Sequence, residues 1–205
     1  YQFSTDRLFD RVRNKLELQS QLGLETGHQY PLITMVSRLT QQKGLDLLLD
    51  GLEKLVDQPW QFVLLGTGEA EIENRVSHFA ERYPNKFMPI LKYDEKFARM
   101  LYASGDIFTM PSLYEPCGLS QMIAMRYGNI PVASATGGLN DSIIDYQRNP
   151  EKATGFLFTD ISGEGFASTL STALKLFKDK VIWTQIQRNA MEQNFSWHHS
   201  AMTYA

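Results

Sequence analysis

The stretch Pro31-Leu32-Ile33-Thr34-Met35-Val36-Ser37-Arg38-Leu39-Thr40-Gln41-Gln42-Lys43-Gly44-Leu45 decides the fold. A short β-rich segment, Leu32 to Val36, passes through a polar turn with a closing glycine into an amphipathic helix over Leu45 to Val56. Leu45, Leu48, Leu49, Leu52 and Leu55 recur there at helical spacing. The same unit repeats down the chain. Phe62 to Leu65 leads through Gly66-Thr67-Gly68 to a helix over Glu69 to Arg82, and Phe87 to Leu91 leads to one over Asp94 to Ala103, with Asp94 as N-cap. Ile107 to Met110 precedes a helix over Leu119 to Tyr127. Ile130 to Ala133 and Phe156 to Phe158 complete the strands, and helices over Gly165 to Phe177 and Val181 to Gln193 close the unit. Strands that are apolar throughout, alternating with helices, specify an α/β fold with a parallel sheet flanked by helices on both faces.

Composition narrows the function. The 205 residues are 43% apolar and 21% charged, ordinary globular values, and no apolar run approaches the roughly 18 residues of a membrane span. A net charge of −3 and a pI near 5.8 argue against a nucleic-acid or anionic-membrane footprint. Any anion site must be a local concentration of positive groups. The single Cys117 excludes an intrachain disulfide and fits a reducing compartment. No metal site is expected, because His28 and His78 are isolated and the adjacent His198 and His199 would point apart on a helix. Upstream, Asp6 to Leu22 reads as a charge-rich connecting helix with Leu8, Val12, Leu16 and Gln19 along its docking face. Residues Ser196 to Ala205 resemble the start of a truncated further helix, and an opening at Tyr1 without Met suggests a fragment or a processed chain.

In such a sheet the loops at the carboxyl ends of the strands form the ligand crevice. The first carries Arg38 and Lys43, spaced so that both can converge on one anion across the turn to Gly44. The fourth carries Glu115, fixed between Pro111 and Pro116 and followed by Cys117, Gly118, Leu119 and Ser120. There a helix N-terminus would also favour an anion. Gly66-Thr67-Gly68 matches neither a dinucleotide fingerprint nor a phosphate loop and reads as a tight turn. Tyr93 could stack on a base or pack against the helix that follows it. Thr136 offers a hydroxyl, and Gly137-Gly138 either admits a close backbone approach or is a flexible turn before a helix at Leu139. Glu115 has no second acid near it at hydrolase spacing, and no Gly-x-Ser-x-Gly elbow is present. Cys117 reads as a turn or packing residue, since no basic residue precedes it in its motif.

Four motifs in order, Ser37 to Asp46, Leu64 to Gly68, Glu115 to Gln121 and Thr136 to Leu139, resemble the C-terminal domain of bacterial glycogen synthases and plant starch synthases. The likeness runs from about Pro31 to the end. It implies a Rossmann-like domain, one half of a two-domain (GT-B) retaining glucosyltransferase whose active site lies between the halves. It divides the chain into a linker and connecting helix (1–29), a donor-nucleotide-binding domain (30–195) and the start of a C-terminal helix (196–205). The implied donor is ADP-glucose and the acceptor an α-1,4-glucan, with no cofactor or metal, no nucleic acid and the enzyme's own N-terminal domain as partner. The resemblance implies a cytoplasmic protein in a bacterium or a plastid one in a plant. By the same resemblance Arg38 and Lys43 bind the donor phosphates and Glu115 holds the transferred glucose. The Cys117 and Gly118 amides contact the sugar, Leu119 and Ser120 offer amides to phosphate, and Tyr93 stacks on adenine, although Lys92 stands where the family has Gly. A related group that uses UDP-sugars carries a second Glu where this chain has Ile123. The absent N-terminal half implies that these residues alone transfer glucose poorly.

Overall fold

A computed structural model describes residues 1–196. Its six strands are β1 (Leu32–Val36), β2 (Gln61–Leu65), β3 (Phe87–Ile90), β4 (Ile107–Met110), β5 (Ile130–Ser134) and β6 (Phe156–Phe158). All pair in parallel, in the order β3-β2-β1-β4-β5-β6. This order reverses between β1 and β4, the switch point at which open α/β sheets bind ligands. The helices are α1 (Arg11–Gln21), α2 (Leu45–Glu53), α3 (Ala70–Arg82), α4 (Glu95–Ser104), α5 (Ser120–Arg126), α6 (Gly137–Ser142), α7 (Gly163–Phe177) and α8 (Lys180–Met191). None among the described residues is long and apolar enough to cross a membrane.

The core follows from the leucine stripe of α2 and the apolar strands. Leu45, Leu48 and Leu52 meet Ile33, Phe62 and Leu64 on one face, and Phe156, Phe166, Leu170 and Trp183 extend that cluster over β5 and β6. On the other face Leu18, Leu32, Val63, Leu65 and Leu101 form a smaller one. Asp94 caps α4 by accepting from the Phe97 amide, as the sequence suggests.

Two expectations change. The connecting helix is a 3-10 turn, Thr5–Asp10, followed by α1, rather than one helix from Asp6. Its docked face is Arg11, Asn14, Lys15, Leu18 and Gln19, whereas Leu8, Val12 and Leu16 are only half-buried. Polar side chains can be buried there because each finds a partner: Lys15 pairs with Asp106 at 2.6 Å, and Gln19 donates to Gln61 at 2.7 Å. The last helix of the glycine pair begins at Gly137 itself, not at Leu139. The expected helix over 196–205 lies outside the described residues apart from Ser196.

Candidate donor-binding site

The carboxyl-edge loops are locked to one another by glycines. Beyond β1 the chain makes a 3-10 turn, Gln41–Lys43, which ends at Gly44 with φ of 65°. A Cβ on Gly44 would lie 1.9 Å from the Pro111 carbonyl oxygen, so only glycine lets the first loop rest on the fourth. Two bonds join the same loops: the Gln42 side-chain amide donates to the Tyr114 carbonyl at 2.8 Å, and the Leu113 amide donates to the Gln42 carbonyl at 2.9 Å. The fifth loop closes from behind. The Gly138 amide donates to the Glu115 carbonyl at 3.0 Å, and a Cβ on Gly137 would approach that carbonyl to 2.2 Å. Gly137-Gly138 is therefore a seat for the Glu115 segment at the start of α6 rather than a flexible turn, and Gly137 itself is exposed.

This scaffold holds one carboxylate. Glu115 is 7% exposed, and its Oε2 accepts from Lys43 Nζ at 2.5 Å and from Ser112 Oγ at 3.2 Å. Ser112 is itself fixed by Ser134 Oγ, which donates to its carbonyl. Arg38 is exposed, and no ion pair among the described residues claims it. It lines a cavity of roughly 150 Å³ together with Lys43, Ser37, Ser112 and Ser120. That cavity is bounded by β1 and β4, at the switch point. The turn after Glu115 is drawn together by Gln121, whose Nε2 donates to the carbonyls of Cys117 and Gly118 and to Ser142 Oγ. Cys117 is exposed, and Leu119, just before α5, is too.

A second, more apolar hollow of about 510 Å³ adjoins the first and shares Val36, Ser37 and Arg38 with it. Leu65, Ala98, Tyr102 and Tyr127 also line it. Burial raises the Tyr102 hydroxyl above its ordinary pKa, with a hydrogen bond to Ser120 acting the other way. Tyr93, 85% exposed, lines the same hollow and at that exposure is not packed against α4. Glu73 of α3 shapes the Gly66-Thr67-Gly68 turn beside it. Its Oε1 accepts from Thr67 Oγ1 at 2.5 Å and from the Gly68 amide at 2.8 Å, and these two bonds hold its carboxyl below the usual range.

The structure thus brings Arg38, Lys43 and Ser120 around one cavity, with Glu115 held beside it by Lys43 and Ser112 and Tyr93 in the adjoining hollow; Gly137 and Gly138 pack against the Glu115 segment, with Thr136 at the N-cap of α6. Sequence reading missed Ser112, Gln121, Glu73 and Tyr102. Tyr102 alone left a signal, at helical spacing from Ala98 on the inner face of α4.

Residues 30–175 match the family model described as glycosyl transferases group 1. The chain is 42% identical to a glycogen synthase of Streptococcus agalactiae over its full 205 residues, which is 43% of that relative's length. It is 43% identical to one of Desulfitobacterium hafniense over 198 residues, 96% of this chain and 42% of the relative. Among solved structures, the catalytic domain of starch synthase IV from Arabidopsis thaliana, bound to ADP and acarbose, superposes with a TM-score of 0.92 at 37% identity, covering 99% of this chain and 43% of that one. The chain therefore spans less than half the length of the relatives it matches. Six parallel strands with the switch point at β1 and β4, and a family match over most of the chain, place this polypeptide in the glycosyl transferase group 1 family.

Proposed function

We propose that this chain is the donor-binding, C-terminal half of a retaining glycogen or starch synthase. It acts with an N-terminal half that supplies the opposite wall of the cleft. The observation that carries the reading is one small cavity lined by Arg38 and Lys43, with the buried Glu115 paired to Lys43 beside it, which adjoins an apolar hollow lined by Tyr93. A nucleoside diphosphate sugar has the matching parts: a flat base, a diphosphate and a hydroxyl-rich ring. ADP in the starch synthase relative supports the same assignment.

In the proposed reaction the bond between glucose C1 and the diphosphate oxygen breaks, and the electron pair leaves with ADP. A bond forms from C1 to the terminal hydroxyl oxygen of an α-1,4-glucan, whose proton is released. Negative charge grows on the diphosphate as that bond breaks. Arg38 and Lys43 lie where it develops, which favours the transition state over the ground state. These cations and the amides before α5 neutralise the diphosphate without a metal. Glu115 accepts hydrogen bonds from the glucose hydroxyls and fixes C1 relative to the acceptor.

Calorimetric titration with ADP, UDP and maltooligosaccharide tests this. ADP should bind, and Arg38→Ala should weaken it by roughly tenfold or more, the loss of one charge-assisted contact. Glucan binding without nucleotide binding would show a carbohydrate module instead, and a preference for UDP would point to the related UDP-sugar group.

A further inference from the structure

The sheet edge opposite the donor loops carries a second charged cavity. It lies where the 3-10 turn and α1 cross the start of α8, beside Asp106 at the amino end of β4, and encloses roughly 630 Å³. Asp106 is its buried carboxylate, accepting from Lys15 Nζ at 2.6 Å and from the Leu32 amide at 2.8 Å. Three cations crowd this one acid. Lys15 Nζ lies 5.1 Å, and Lys180 Nζ 3.5 Å, from the centre of the Phe177 ring. Arg11, only 5% exposed, donates from Nη2 to the Gly105 carbonyl, and its Nε has no partner.

Arg11 and Lys15 are buried beside Asp106, and the exposed Lys180, whose Nζ donates to the Phe177 carbonyl at 2.8 Å, adds a third positive charge at the cavity, in a chain whose net charge is −3. At the rim Asp6 and Arg188 add one charge of each sign. Buried charge is ordinarily paired, because desolvation costs several kcal/mol per ion. Burial lowers the Arg11 pKa to about 10 even though Asp106 acts to raise it, and burial likewise lowers Lys180. The remaining walls mix polar residues, among them His28, Ser104 and Gln187, with apolar ones, among them Phe177 and Trp183, whose buried indole N–H is also unpartnered.

We propose that this cavity is a second anion site, separate from the donor cleft, which takes a small organic phosphate. Its phosphoryl oxygens face Arg11, Lys15 and Lys180, and its carbon skeleton rests on Phe177 and Trp183. A guanidinium fork beside two ammonium groups suits a phosphoryl group better than a single carboxylate, which has fewer oxygens to share among three cations. The site does not depend on what the donor cleft binds.

The test uses the intact polypeptide carrying Arg38→Ala, so that the donor cleft lacks its free cation. Thermal unfolding is followed against inorganic phosphate and phenyl phosphate, with ionic strength held constant by chloride. The midpoint should rise saturably with both, at lower concentration for phenyl phosphate. Lys180→Ala, a change at an exposed first helical residue, should raise the half-saturating concentration roughly tenfold, and Lys180→Arg should restore it. A rise no greater than the chloride control, or one indifferent to Lys180→Ala, overturns the proposal. As a second readout, the Trp183 indole ¹⁵N resonance, assigned through Trp183→Phe, should move with phosphate; shifts confined to the loops around Lys43 and Glu115 would overturn it.

Discussion

Under the proposed function Lys43 has two tasks, because the ammonium that lines the cavity assigned to the diphosphate is also the partner of Glu115. Removing either side chain should therefore have different effects. In the intact enzyme, Glu115→Gln should leave ADP affinity within a few-fold but lower the transfer rate by roughly two to three orders of magnitude, while Lys43→Ala should lower both. Calorimetry and radiolabelled glucose transfer separate the two losses, and equal losses of affinity would contradict the division of labour. Gly44→Ala is a purely steric test: the new methyl meets the Pro111 carbonyl, and urea denaturation should show a loss of about 1–3 kcal/mol. Glu73 gives a pH effect of known sign. Thr67 and then the Gly68 amide hold its carboxyl below the ordinary 4.5. Its contribution is complete above that value and disappears as pH falls through the lower folded one. The protection of the Gly68 amide, its exchange rate compared with that of an unstructured amide at the same pH, should fall on acidification through this window, and Glu73→Gln should flatten the response; an unchanged response would remove Glu73 from the turn.

At the scale of elements, α7 contributes Phe166, Leu170, Ala173, Leu174 and Phe177 to the core. Phe166 is fully buried against Phe158 and Gly51, so Phe166→Ala should cost about 3–5 kcal/mol in urea unfolding. Every strand and nearly every helix is readable from apolar runs and glycine turns, since burial on both faces of a parallel sheet leaves little room for polar residues. The first helix fails for the complementary reason. Arg11 and Lys15 are buried through a hydrogen bond and an ion pair with residues about ninety positions away, and the Asn14 side chain bonds Tyr1 across thirteen; no local period announces such partners.

For the whole molecule, the site was legible as a set of loops because topology puts every carboxyl end on one edge. What each loop does there was less legible. Gly137-Gly138 holds a neighbouring loop, Ser112 donates to Glu115, and Gln121 ties down the carbonyls of Cys117 and Gly118, contacts that a linear reading gives no reason to expect. The sheet order also has a consequence for how the protein comes into being. Arg38, Tyr93, Glu115 and Gly138 are spread over a hundred residues of chain and meet only when β1 and β4 have paired across the intervening β2 and β3. Long-range parallel pairing is slow compared with local helix formation. Nucleotide affinity should accordingly emerge in a refolding experiment after helical ellipticity, in step with burial of the central strands, so that the appearance of a working donor seat marks the end of folding and not one of its early stages.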